Sequence, residues 1–219
     1  MTAAAYRRVR ESLGAAVRDL EDDLLDGVVP ATPAWRVRDV IAHLAGVAED
    51  VVAGRMEGAA GPEWTAAQVY RRQGQPIASV LAAWSDAGPL VEAMVEADAG
   101  LWLVPVDAWQ HEQDVRGLLG LGPRVDGEAI GSALRMTRSV ARRCEAVGLP
   151  GPRFVAGGEV VADGDGPTVE GPSRYDLARA LFGRRTADEV SAWFPPDVDP
   201  APYLPLLGAF PPPEESLPT

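Results

Sequence analysis

The stretch Asp107-Ala108-Trp109-Gln110-His111-Glu112-Gln113-Asp114 carries one of only two histidines in the chain. The other, His43, lies in Trp35-Arg36-Val37-Arg38-Asp39-Val40-Ile41-Ala42-His43-Leu44-Ala45-Gly46. Both segments have helical periodicity, and both imidazoles fall on or beside the apolar face. Residues four apart on a helix point the same way within about 40°, so Asp107 and His111 can reach one ion. A histidine from a second helix completes a three-ligand set, with a further coordination position for water or substrate. That places a polar cluster inside a cage of helices, which is how helix bundles build metal sites.

Neighbouring residues rank by direction. Asp114 lies close to the face of His111 and can support a ligand imidazole from behind; the alternatives are a cap or a pair with Arg116 or Arg38. Glu112 points about 100° away and is a poorer ligand. The plain alternative is that each histidine is a packed residue and the Asp-x-x-x-His pair an ordinary helix-surface contact. Against it stands the cost of an unpartnered buried imidazole, which two histidines near core faces would incur twice.

Outward from these segments, helical spacing continues. Residues 3–26 read as one amphipathic helix through Val9, Leu13, Val17, Leu20 and Leu24. Thr32-Pro33 reads as the cap and first turn of a helix running to residue 54. Residues 55–75 read as a loop with a short helix at 64–72. A helix over 76–98 contains Pro89, which predicts a kink or break. The His111 helix spans 104–119, with Val104, Ala108, His111, Val115 and Leu118 inward. A fifth helix is expected over 126–148, with Cys144 and Val147 on its core face. Composition then shifts to Gly and Pro, with short strands at 153–156, 159–162 and 167–170. Helices follow at 172–183 and 186–194, and the proline-laden tail from 195 reads as extended or partly disordered. The fold expected is mainly α: a helical bundle over 1–123, then a fifth helix, a small α+β domain and the tail over 124–219.

Composition limits the function. The 219 residues include 47% hydrophobic side chains and carry a net charge of −12, with a pI near 4.6. Such an acidic chain disfavours duplex nucleic acid and anionic membrane surfaces. All 20 basic residues are arginine, and lysine and asparagine are absent, a composition expected of a high-GC bacterial genome. The single Cys144 excludes an intrachain disulfide and fits a reducing compartment. With no leader pattern and no apolar run of about 20 residues, a soluble cytoplasmic protein is expected, either monomer or homodimer.

Residues 35–46 resemble the first metal-histidine segment of the DinB-like superfamily, and more narrowly of the mycothiol-dependent maleylpyruvate isomerase family. Residues 107–120 resemble that family's second metal segment. Residues 175–190, with their Leu-x-Gly-Arg-Arg core, resemble its C-terminal domain. The resemblance implies a DinB-like four-helix bundle with a small α+β C-terminal domain. It implies His43, Asp107 and His111 as ligands of a divalent ion, most often zinc, with mycothiol as co-substrate. The family pattern has glutamate where this chain has Asp107, so the carboxylate here is one methylene shorter.

The chemistry so implied is activation of a low-molecular-weight thiol, whose thiolate adds to a small electrophile. Reversible addition gives isomerisation; release of the adduct gives transfer. Arg184 and Arg185 are candidates for a substrate carboxylate; the alternative is that they compensate a helix dipole. Trp35, Trp102 and Trp109 are candidates for a pocket wall, Trp109 foremost. Two other readings stand beside this one: a non-catalytic small-molecule-binding or regulatory protein, and a thiol-independent biosynthetic tailoring enzyme.

Overall fold

The computed structural model describes residues 2–218. The chain divides into two compact units, one of residues up to 124 with Pro218, the other of residues 125–217. The protein is mainly helical, with its sheet confined to the second unit. No helix among the described residues is long and apolar enough to cross a membrane.

Four long helices build the first unit: α1 (Ala3–Val17), α3 (Val37–Val52), α5 (Ile77–Ala97) and α6 (Leu103–Leu118). Each of α1 and α3 packs on both α5 and α6, which closes a four-helix bundle. The α1–α5 seam is part apolar and part ionic. Trp84 Nε1 donates to the Tyr6 hydroxyl at 3.0 Å. Glu92, buried on α5, accepts from Arg7 and Arg10 of α1.

The helix expected over 3–26 is two helices. α1 stops at Val17, and a short α2 covers Asp22–Leu25. The sequence Asp19-Leu20-Glu21-Asp22-Asp23 explains the break. Carboxylates oppose the negative end of a helix dipole but favour the positive start of the next helix, where Asp22 and Asp23 sit. Thr32 and Pro33 do not start α3. They lie in a turn closed by Trp35 N to Thr32 O, beside a bridge between Val28 and Arg36. α3 starts at Val37 because the Asp39 carboxylate in its first turn accepts from Arg36 N at 3.0 Å and from the Arg36 guanidinium at 2.9 Å. Pro89 sits inside α5 without breaking it.

α4 (Pro62–Arg71) lies against α3. Proline in its first turn, Glu63 near its start and Arg71 near its end suit its polarity. α6 is more enclosed than its periodicity suggests. Gln110, His111, Glu112, Gln113 and Asp114 are all buried along with Val104, Ala108 and Val115, while Leu118 is half-buried.

In the second unit, the single helix expected over 126–148 is interrupted. α7 (Gly127–Ala133) passes through a 3-10 turn at 134–136 into α8 (Thr137–Ala146). The Thr137 hydroxyl donates back to Leu134 O at 2.8 Å, a local bond that competes with the helix ladder. Cys144 is buried, but Val147 lies past the helix end and is exposed. Three strands form a sheet in the order β2-β1-β3: β1 (Arg153–Ala156), β2 (Glu159–Ala162) and β3 (Thr168–Gly171). β1 runs antiparallel to β2 and parallel to β3, with Phe154 opposite Val169. Gly157 and Gly158 turn the hairpin with φ of 59° and 81°, a left-handed pair that glycine tolerates.

α9 (Arg174–Ala180) and α10 (Ala187–Ser191) follow, capped by Ser173 and Thr186. The tail is ordered rather than extended. It contains α11 (Leu204–Leu207), buries Tyr203 and Leu207, and accepts from Arg143 at the Leu206 carbonyl, 2.8 Å away.

Candidate metal centre

α3 and α6 bring His43, Asp107 and His111 together. One ligand atom from each residue can be chosen so that all lie within 4.8 Å of one another. His43 Nε2 is 3.2 Å from Asp107 Oδ2, and His111 Nε2 is 3.6 Å from Asp107 Oδ1. The two imidazoles meet edge to face, 5.2 Å between ring centres. Both are buried, whereas the Asp107 side chain is 37% exposed. Asp107 therefore marks the open side of the cluster.

Trp35 stands over both rings, its indole 4.8 Å from His43 and 5.8 Å from His111. It reaches them because the turn at residues 29–35 folds back just ahead of α3. Trp109 is buried on α6, two residues from both Asp107 and His111, so helix geometry turns it about 160° from them. Tyr6 is also buried, and its phenol is pushed up to about 12, chiefly by desolvation, so it stays protonated.

Asp114 has a fully enclosed side chain with Oδ2 3.2 Å from His111 Nδ1. The contact is out of line for a formed hydrogen bond. Arg38 and Arg116 are engaged elsewhere: Arg38 with Asp22 and Asp26, Arg116 with the carbonyls of Leu121 and Gly122. Glu112 is taken up by Arg124, at 2.7 and 2.9 Å. Arg184 and Arg185 belong to the second unit and are buried there. Arg184 donates to Phe182 O and Arg185 to the Asp176 carboxylate, both at 2.7 Å.

Four residues escaped the sequence reading. Gln68, on α4, accepts from His43 Nδ1 at 2.8 Å. Its amide nitrogen donates to Asp50 Oδ2, also at 2.8 Å. Asp50 in turn accepts from Arg55 and Arg71. Burial alone would raise the Asp50 carboxyl, but hydrogen bonds from Gln68, Arg71 and Arg55 outweigh it and hold it below its ordinary value. A signal was present. Asp50 lies seven residues after His43, on the same face within about 20°, in an otherwise apolar stripe.

The donor set suits a divalent cation. Two imidazole nitrogens and a carboxylate oxygen converge, and this N/N/O combination is common to open metal sites. His43 Nε2 and Asp107 Oδ2, 3.2 Å apart, can share either a proton or a cation.

Residues 6–121 match the family model described as the mycothiol maleylpyruvate isomerase N-terminal domain. No curated protein and no solved structure matches the chain. The match covers more than half of the sequence and takes in the bundle helices, His43, Asp107 and His111. By this N-terminal domain the chain belongs to the mycothiol maleylpyruvate isomerase family, within the DinB-like group of helical bundles.

Proposed function

We propose that this protein is a metal-dependent enzyme that uses a low-molecular-weight thiol, mycothiol, to attack a small electrophilic substrate, either transferring the thiol or isomerising the substrate. The observation that carries this reading is the convergence of His43, Asp107 and His111 under Trp35, with one open side. The three side chains would hold the ion, zinc being the natural choice for N/N/O ligands. When bound, such an ion supplies Lewis acidity that lowers the pKa of a ligated thiol and makes it nucleophilic at neutral pH.

The chain's own residues supply the rest. His43 and His111 keep two donors on rigid helices, so the site needs little reorganisation on binding. Trp35 covers the imidazoles and excludes water from that side. Asp107 leaves the approach open on its own side. Cys144 is not a competing nucleophile: it is buried, with its thiol pushed up by desolvation.

The test is metal content of the purified protein by mass spectrometry, followed by thiol conjugation to model electrophiles, with His111→Ala as control. Stoichiometric zinc and conjugation that the variant loses are expected. Wild-type protein that holds no metal after reconstitution ends this reading. Metal without turnover on any electrophile favours a binding or regulatory protein.

A further inference from the structure

We propose that Gln68 and Asp50 are positioning residues that lock His43 in the tautomer whose Nε2 lone pair faces Asp107. This rests on the metal-centre reading above and deepens it. An amide side chain can present either its oxygen or its nitrogen to a neighbour, so its orientation follows from what surrounds it. Asp50 settles the matter here. Its carboxylate, held ionised by Arg55 and Arg71, can only accept. Gln68 must therefore turn its NH2 towards Asp50, 2.8 Å away, and its oxygen towards His43 Nδ1, also 2.8 Å away. That oxygen requires a proton on Nδ1. In the neutral ring, Nε2 is then bare and aimed at the ligand cluster.

Two further features make the chain of bonds stiff. Gln68 is 0% exposed and Asp50 1%, so water does not compete for these bonds. Gly46 provides the space. A Cβ at that position would lie 2.5 Å from the Gln68 Cβ and 2.7 Å from its Cγ, so α4 reaches this depth only over a bare backbone. Arg71, one turn after Gln68 on α4, then closes on the Asp50 carboxylate. The neutral amide between Asp50 and His43 transmits orientation without setting a second full negative charge against the ring.

The experiment uses the full-length protein in two measurements. Long-range 15N–1H correlation on metal-free wild type in mildly alkaline buffer reads the His43 tautomer directly. Zinc affinity is then measured by competition with a chelating dye for wild type, Gln68→Met and Asp50→Asn. The expected results are an Nδ1–H signature for wild-type His43 and loss of that single signature in both variants. Zinc affinity should fall in Gln68→Met by roughly 10–100-fold, the usual effect of removing an outer-sphere partner. A wild-type Nε2–H signature overturns the proposal. So does a folded Gln68→Met that keeps both the signature and wild-type affinity. If Gln68→Met does not fold, Asp50→Asn, which keeps the side-chain volume, decides: retention of one Nδ1–H population and full affinity overturns the lock. A wild type that binds no zinc sinks the functional reading instead, and the metal-free tautomer still decides this one.

Discussion

His43 and His111 stand 5.2 Å apart, ring centre to ring centre, yet they are held in different ways. His43 leans on an amide, which leans on a carboxylate, which is held by two arginines, all at 2.8–2.9 Å. His111 has Asp114 at its back, three residues along the same helix and out of line at 3.2 Å. The α3 side is thus set by tertiary packing, and the α6 side by helix geometry. The contrast teaches that two imidazoles of one buried cluster need not be supported symmetrically. One ring lies beside a carboxylate of its own helix without a formed bond, while the other is held from a separate helix.

The largest effect expected strikes both sides alike. If both rings are ligands, His43→Ala and His111→Ala each lose more zinc affinity than the roughly 10–100-fold typical of outer-sphere changes, as measured by dye competition. Either variant binding zinc as tightly as wild type would break the equivalence of the two rings. Next is Gly46→Ala, which acts on the α3 side alone. The added methyl meets Gln68 at 2.5 Å, so we expect a loss of about 1–3 kcal/mol from overpacking, seen in chemical denaturation. Reduced zinc affinity should accompany it.

Asp114→Asn probes the α6 side while keeping its volume. Because the existing contact is poorly aligned, its effect on zinc affinity should stay under about tenfold, below the outer-sphere range expected on the α3 side. A larger loss than that from Gln68→Met would reverse the comparison.

Acid sharpens it further. Asp50 in its arginine cradle and Glu92 beneath Arg7 and Arg10 both have carboxyls held below their ordinary values, hydrogen bonds outweighing desolvation in each case. With unfolded values of about 3.9 and 4.3, their stabilising contribution is complete above those values. It is lost as pH falls through the lower folded values. Circular dichroism on acidification should show stability falling below about pH 4, the unfolded carboxylate range, and Glu92→Gln should flatten part of that slope. The smallest effect lies outside both rings: the Cys144 thiol, buried and shifted upward, should react with a thiol-specific dye only on unfolding.

The convergence of the three side chains was legible because a helix repeats every 3.6 residues, so Asp107 and His111 were bound to share a face. That His43 would meet them required only that two amphipathic helices bury their faces together. The support of His43 was not legible in the same way. Gln68 lies in a stretch containing glycine, proline and glutamine that reads as loop, and its partner is 25 residues away. Nothing local says which side of α4 faces α3. Gly46 and Asp50 were visible on the correct helix, but each reads singly as a tolerated exception in an apolar stripe. The misplaced helix ends at Val17 and Val37 have a similar cause: charge and the Asp39 carboxylate's bonds to Arg36 override apolar spacing at termini. The two short strands before Asp163 fall where the sequence puts them, because the glycine pair between them dictates a tight turn.

Gly183, at the centre of the Leu-x-Gly-Arg-Arg motif, has φ of 71°, and a side chain there would strike the carbonyls of Phe210 and Pro211 at 2.6 and 2.8 Å. Ala209 N donates to Leu181 O one step away. The final prolines are therefore seated on the motif like a clasp on its catch. Trimming the chain before residue 209, as a crystallographer tidying a ragged terminus would do, removes the Ala209 bond to Leu181 and the carbonyls that close over Gly183.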